Sequence, residues 1–440
     1  MLDATEGCRA DGIDVDVSVK AAHSRRFQRE QYAQTADGLP TATRRPILVM
    51  VCSADFEGAR VNLGAEAKVS AMVRIFIGLG FDVHYVDSSH WLPQWAGPSL
   101  GVPSHIGASA VTLWRPFRVP HRKFGKVLNV LFNGNLFAHL RALQPALVWI
   151  YNSYAFEGAI ARRFQAAGVP VVLELEDLPL ARKRSWNPKA FWDQRYFERL
   201  LEQCALVTFV NDGLMQRYQG RTQRAMLLPS VLNDGLVKLT RTARFSARRY
   251  VLGYFGGLSP EKGAAVLLQA LNLLPASWHL VVTGTGALEA AFKEAARRYA
   301  DRLTFHGTVS PAELHRLMVT CDVIVNPHHS IEAMRDGVFP FKVCESLASG
   351  ALLVSTALPS IDVPLSDAVL FFDGSSEGLA SALRGAEAFN TENKAHIDNL
   401  GRHIAHHYSE AEVARRLLPV LTAINVLGES SRCFTGRDTP

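Results

Sequence analysis

Two rhythms of apolar and polar positions take turns along this chain. Pro46–Cys52 (PILVMVC) is a short apolar run, the pattern of a strand buried on both faces. A loop through Gly58 and Gly64 follows; Ala65–Leu79 then has helical periodicity, and Phe81–Val86 returns to a strand. That is a βαβ opening. The unit recurs with Ala146–Tyr151 as strand, Phe156–Ala167 as a helix stopped by Gly168, and Pro170–Leu175 as strand. Phe191–Gln203 reads as a further helix and Leu206–Val210 as a further strand. Alternation at this spacing implies a parallel sheet covered by helices on both faces.

Polar, basic residues over Ser230–Arg249 break the rhythm, which then restarts. Tyr250–Phe255, Trp278–Thr283, Arg302–His306 and Val323–Asn326 read as strands, with helices over Gly263–Leu274, Leu288–Ala300 and Pro311–Thr320 between them. The last helix start is well signed: Ser310 is an N-cap, Pro311 takes the first helical position and Glu313 completes a capping box. The expected organisation is a disordered leader over 1–44, a Rossmann-like domain over 45–229 and a linker over 230–249. A second Rossmann-like domain then spans 250–408, and a disordered tail covers 428–440. The amphipathic stretch 409–427 is expected to pack back on the first domain. The fold class is thus α/β, with two parallel sheets facing a cleft and ligands at the carboxyl ends of the strands.

Composition narrows the classes. A chain of 440 residues suits two domains. No apolar run approaches the roughly 18 residues that a membrane helix needs. The acidic, non-apolar N-terminus does not read as a secretory signal. Six scattered cysteines without a C-x-x-C pair suggest a reducing cytoplasm and no structural metal. The net charge is +6, unevenly placed: the 69 residues from 88 to 156 hold no Asp or Glu. There Arg115, Arg118, Arg122, Lys123 and Lys126 interleave with Trp114, Phe117 and Phe124. Residues 114–126 therefore read either as a peripheral contact with an anionic membrane or acceptor, or as a solvated basic face. No nucleic-acid partner is expected.

Two constellations carry chemistry. In the stretch Asp336–Pro359, Phe341–Ser349 suits a short helix stopped by Gly350, and Ala351–Ser355 a buried strand. Lys342 and Glu345 share a face of that helix's first turn. A helix start favours phosphate, the lysine adds charge, and the carboxylate can accept hydrogen bonds from sugar hydroxyls. An exposed i,i+3 ion pair is the structural alternative. Upstream, Tyr254–Gly263 (YFGGLSPEKG) follows a strand directly, its paired glycines allowing close approach to a ligand and Lys262 standing where a helix begins.

With Cys321–Pro327 (CDVIVNP) and Phe339–Gly350 (FPFKVCESLASG), the 254–263 motif forms an ordered series that resembles the retaining GT-B glycosyltransferases of group 1 (GT4). The resemblance is strongest over 250–360. It implies transfer of a sugar from a nucleotide-sugar to a hydroxyl of a glycan or lipid-linked acceptor, with retention and with no cofactor or essential metal. It also implies an enzyme of polysaccharide biosynthesis; the location expected from the cysteines and from 114–126 is the cytoplasm, with a peripheral position at the inner face of the membrane where that stretch makes contact. Lys262 and Lys342 would stabilise the donor diphosphate and Glu345 would bind the ribose. Gly256, Gly257, Val309, Asp336, Val338 and Phe339 would line the donor site, with Glu176 and Asp177 near the transferred sugar. Three positions depart from the family pattern: Gly257 replaces an arginine, Gly337 an acid, and Glu176 a histidine. The rivals are a binding subunit of the same fold that has lost activity, a nucleotide-sugar epimerase and a dinucleotide-dependent oxidoreductase. The last rests on Thr283–Gly286 but lacks a small residue at Leu288–Glu289 and a ribose-binding acid after the next strand.

Overall fold

In the computed structural model, each of the ten apolar runs named above contains a strand. The structure describes residues 45–53, 63–89, 94–120, 122–132, 134–176, 188–239, 245, 249–328 and 339–427. The expected leader (1–44) and tail (428–440) lie outside these residues, as do Asp177, Asp336 and Val338.

The first sheet holds β1 (Ile47–Cys52), β2 (Asp82–Asp87), β3 (Ser99–Ile106), β4 (Ser109–Arg115), β5 (Leu147–Tyr151), β6 (Val171–Leu175), β7 (Leu206–Phe209) and β8 (Ala225–Leu227). Their order is β3-β4-β2-β1-β5-β6-β7-β8. Every pairing is parallel except that of β3 with β4. The second sheet holds β9 (Tyr250–Phe255), β10 (Trp278–Thr283), β11 (Leu303–Phe305), β12 (Val323–Asn326), β13 (Leu352–Ser355) and β14 (Val369–Phe371). Its order, β11-β10-β9-β12-β13-β14, is that of a doubly wound sheet, which reverses direction between β9 and β12. A crevice opens at such a point, outside the carboxyl ends of the two strands.

The strands are apolar because both faces are covered. Leu48, Val49, Val148, Ile150, Leu173 and Val207 are fully buried. Helix starts follow the local signals: Ser310 Oγ accepts from the Glu313 N–H at 3.3 Å, and Gly350 ends the helix Phe341–Ser349 at φ +72°. The helix Glu410–Ala423 lies on the first domain's helix Leu63–Gly78, where Arg74 pairs with Glu410 at 2.5 Å. Val413, Leu417 and Leu421 join Leu48, Met50 and Phe76 in one apolar cluster.

At Trp114, Arg115 and Arg118 the acid-free stretch differs from a solvated basic face. The hairpin of β3 and β4 occupies its first part, with Trp114 in the core. Arg115 and Arg118 are buried against Asp87, with Arg115 Nε 2.9 Å from its Oδ2. These three side chains are therefore withdrawn from any membrane. Within the linker, the helix Asp234–Val237 buries Leu236.

Candidate active site

The crevice between β9 and β12 brings together the Gly256–Gly257 turn, Lys262 and Lys342. The Gly256–Gly257 turn leaves β9, and Pro327–His328 leaves β12. Lys262, in the short 3-10 turn Pro260–Lys262, places Nζ 2.9 Å from Nε2 of His328. A Cβ built on Gly256 would lie 3.9 Å from Cδ of Lys342, so the Lys342 side chain runs along this turn. Tyr254 Oη holds the turn from below by donating to the Gly257 carbonyl at 2.7 Å.

Backbone packing explains the glycines. Gly284 has φ +132°, and a Cβ there would sit 1.8 Å from the Gly256 carbonyl oxygen. Gly263, at φ +70°, similarly abuts the Pro327 carbonyl. Gly284 N–H also donates to the Gly307 carbonyl at 2.8 Å, so the turn carrying Val309 adjoins the Gly256 turn. The glycines of Thr283–Gly286 thus serve as a backing layer for the 256–257 turn.

Lys342 and Glu345 are not an exposed ion pair. Glu345 is 7% exposed and Lys342 half-buried, and neither has a hydrogen bond or ion pair to another side chain among the described residues. Burial depresses the Lys342 ammonium pKa and the nearby Lys262 charge depresses it further, against the pull of Glu345. Burial raises the Glu345 carboxyl, with Lys342 opposing. Burial thus disfavours the charged form of both groups, a cost that an anionic, hydroxyl-bearing ligand would offset. A raised carboxyl pKa means that ionised Glu345 weakens the free fold at neutral pH, and that the penalty fades as pH falls through its folded pKa. Glu345→Gln is therefore expected to raise Tm at pH 7.5 without ligand. The gain should shrink towards pH 4.5; an equal shift at both pH values would contradict this.

Phe339 is 4% exposed and belongs to the main apolar core, where it anchors the helix start. Glu176 lies at the end of β6 in a network that the sequence reading missed. Lys68, 1% exposed, pairs with Glu176 and with Glu174 at 3.0 Å and donates to the Leu228 carbonyl at 2.9 Å. Trp149 Nε1 donates to the other Glu174 oxygen at 2.7 Å. Burial alone would lower the Lys68 pKa, but Glu176 and Glu174 hold it above the ordinary lysine range. Glu176 is thus committed to an internal ammonium. His328 was likewise missed, since a histidine after a strand has no distinctive spacing.

Two halves with parallel sheets, one of them doubly wound around a cationic, glycine-lined crevice, define the GT-B class of glycosyltransferases. The comparisons agree. Sucrose-phosphate synthase from Thermosynechococcus elongatus superposes with a TM-score of 0.65 at 15% identity, over 87% of this chain and 99% of that one. A trehalose-phosphate synthase (UDP-forming) from Burkholderia xenovorans, in complex with glucose-6-phosphate, gives 0.61 at 14% identity over 86% and 100%. HepE from Anabaena, in complex with UDP, gives 0.58 at 15% identity over 86% and 100%. No curated protein matches by sequence. Residues 249–386, the segment that carries Lys262, Lys342 and Glu345, match the family "Glycosyl transferases group 1".

Proposed function

We propose that the protein transfers a sugar from a nucleoside-diphosphate sugar to a hydroxyl of a glycan or lipid-linked acceptor, with retention at the anomeric carbon. The carrying observation is that Lys342, which runs along the Gly256 turn, is flanked by Lys262 and by the buried, unpartnered Glu345. In this reading the ammonium groups take the diphosphate and Glu345 accepts hydrogen bonds from the ribose hydroxyls. The UDP in the HepE structure and the UDP-forming activity of the trehalose-phosphate synthase support a donor of this class.

As the bond from the anomeric carbon to the β-phosphate oxygen breaks, the electron pair leaves with the diphosphate. Positive charge fixed beforehand stabilises that leaving group by several kcal/mol. The acceptor hydroxyl attacks from the same face, and its proton passes to a phosphate oxygen of the departing diphosphate. No protein nucleophile is needed, which agrees with the commitment of Glu176 to Lys68. His328 positions Lys262 by accepting its hydrogen bond. Asp336 and Val338 stay assigned to the donor site, and Asp177 to the surroundings of the transferred sugar, by family resemblance. A peripheral membrane contact, if made through 114–126, falls to the helix Arg122–Leu131; among the described residues no helix is long and apolar enough to cross a membrane.

Lys262→Ala and Glu345→Ala are each expected to weaken UDP or GDP binding at least about tenfold, or about 1.4 kcal/mol, in calorimetry. Unchanged affinity for every nucleoside diphosphate that the parent binds would remove these residues from the donor site.

A further inference from the structure

Outside the donor crevice, one atom has contacts that no single proton satisfies. Nε2 of His407 lies 3.0 Å from Oδ2 of Asp362 and 2.8 Å from Nη1 of Arg416. If Nε2 carries a proton, it can donate to Asp362 but confronts an Arg416 N–H. If it is bare, it accepts from Arg416 but turns its lone pair towards a carboxylate oxygen. Two lone-pair donors converging this closely match the edge of a metal coordination shell: ligands at the zinc–nitrogen distance of about 2.0–2.1 Å in a tetrahedron are roughly 3.3 Å apart.

A third ligand stands beside them. His403 and His407 are one turn apart on the helix Lys394–His407, with their rings nearly parallel at 15° and 5.2 Å between centroids. One ligand atom from each of Asp362, His403 and His407 lies within 4.8 Å of the others. His403 has no hydrogen-bond partner among the described residues. The carboxylate is already oriented, because Tyr408 Oη donates to Asp362 Oδ1 at 2.5 Å. Such support of a ligand by a neighbouring donor is typical of metal sites. Asp362 also lines a cavity of about 500 Å³ with Asp212 and Phe371, which gives an ion a route from solvent.

We propose that Asp362, His403 and His407 bind a divalent transition-metal ion of the zinc class, with the Arg416 guanidinium holding the ion's place in the metal-free protein. Two imidazoles and one carboxylate suit zinc, cobalt and nickel over calcium or magnesium. Arg416 has a second anchor to swing on, its Nη2 bond of 2.9 Å to the Leu227 carbonyl. The consequence is mechanical. The ion would tie the 358–366 loop to the C-terminal helices, and that loop already receives the Asp212 N–H at the Ser360 carbonyl, 3.1 Å away. Zinc would thereby brace a contact between the two halves of the chain.

The test is titration of the chelator-stripped full chain with zinc chloride by calorimetry and thermal shift, and with cobalt(II) by visible absorption. Saturable binding of one ion with a rise in Tm is expected. His403→Gln alters an exposed side chain without hydrogen bonds and should fold normally while weakening binding at least tenfold. Asp362→Asn should act in the same direction. Arg416→Gln removes the competing cation and should tighten binding about threefold or more. No saturable binding, the parent's affinity in His403→Gln, or weaker binding in Arg416→Gln would each overturn the proposal.

Discussion

A Lys68→Met chain is expected to be about 3–5 kcal/mol less stable than the parent, seen as a lower denaturant midpoint. The reason is what the substitution leaves behind. Lys68 is buried between Glu174, whose side chain is 2% exposed, and Glu176, at 15%. Without the ammonium, two carboxylates face each other in an apolar setting, and the Leu228 carbonyl loses its donor. Water cannot compensate at a residue that is 1% exposed. Neutralising both acids as well, with Glu174→Gln and Glu176→Gln added to Lys68→Met, should recover much of the loss, because the Trp149 donor keeps an oxygen acceptor at position 174. A single variant within about 0.5 kcal/mol of the parent would show that water or rearrangement screens the pair, and would free Glu176 for catalysis.

Gly284→Ala should abolish measurable nucleotide binding and cost the fold about 2–3 kcal/mol or more. At φ +132° an alanine is strained by its own backbone, and its methyl group would stand 1.8 Å from the Gly256 carbonyl oxygen. One of the two turns must move, and the turn that moves carries the donor-facing backbone. Gly257 provides the contrast. Its φ is not in the left-handed region, and a Cβ there meets only Cγ of Lys262 at 3.9 Å, an ordinary contact. Gly257→Arg should therefore fold normally and tighten binding of nucleoside diphosphate by restoring a charge that the family pattern carries. Normal binding in Gly284→Ala, or misfolding of Gly257→Arg, would refute this account of the turn.

These variants mark where sequence reading succeeds. Ser310-Pro311 and Gly350 act through the local backbone, so their helix ends are visible without tertiary context. Lys262, Lys342 and Glu345 stand at fixed offsets from strand ends, and a doubly wound sheet brings such ends to one crevice. Contacts between distant segments were not legible. Arg115 and Arg118 read as surface because their partner, Asp87, lies well upstream on a neighbouring strand. Lys68 resembles any polar residue on an amphipathic helix until β6 supplies its two glutamates. The hairpin of β3 and β4 was missed because Trp114 and its neighbours were weighed as a basic-aromatic surface, whereas their alternation belongs to strands. His403 and His407 drew no notice, since the third ligand comes from a loop in another part of the chain.

The helix Glu410–Ala423 has a consequence for synthesis. Its residues Val413, Leu417 and Leu421 complete the apolar cluster around Leu48, Met50 and Phe76. A chain made from its N-terminus ordinarily folds its domains in the order they emerge from the ribosome. Here the first half emerges with one side of its core uncovered, and the missing piece is translated only after the second half. The second half can close on its own contacts while the first waits. The domain made first is thus the one finished last, and a nascent chain stalled before residue 410 presents that bare apolar face to chaperones.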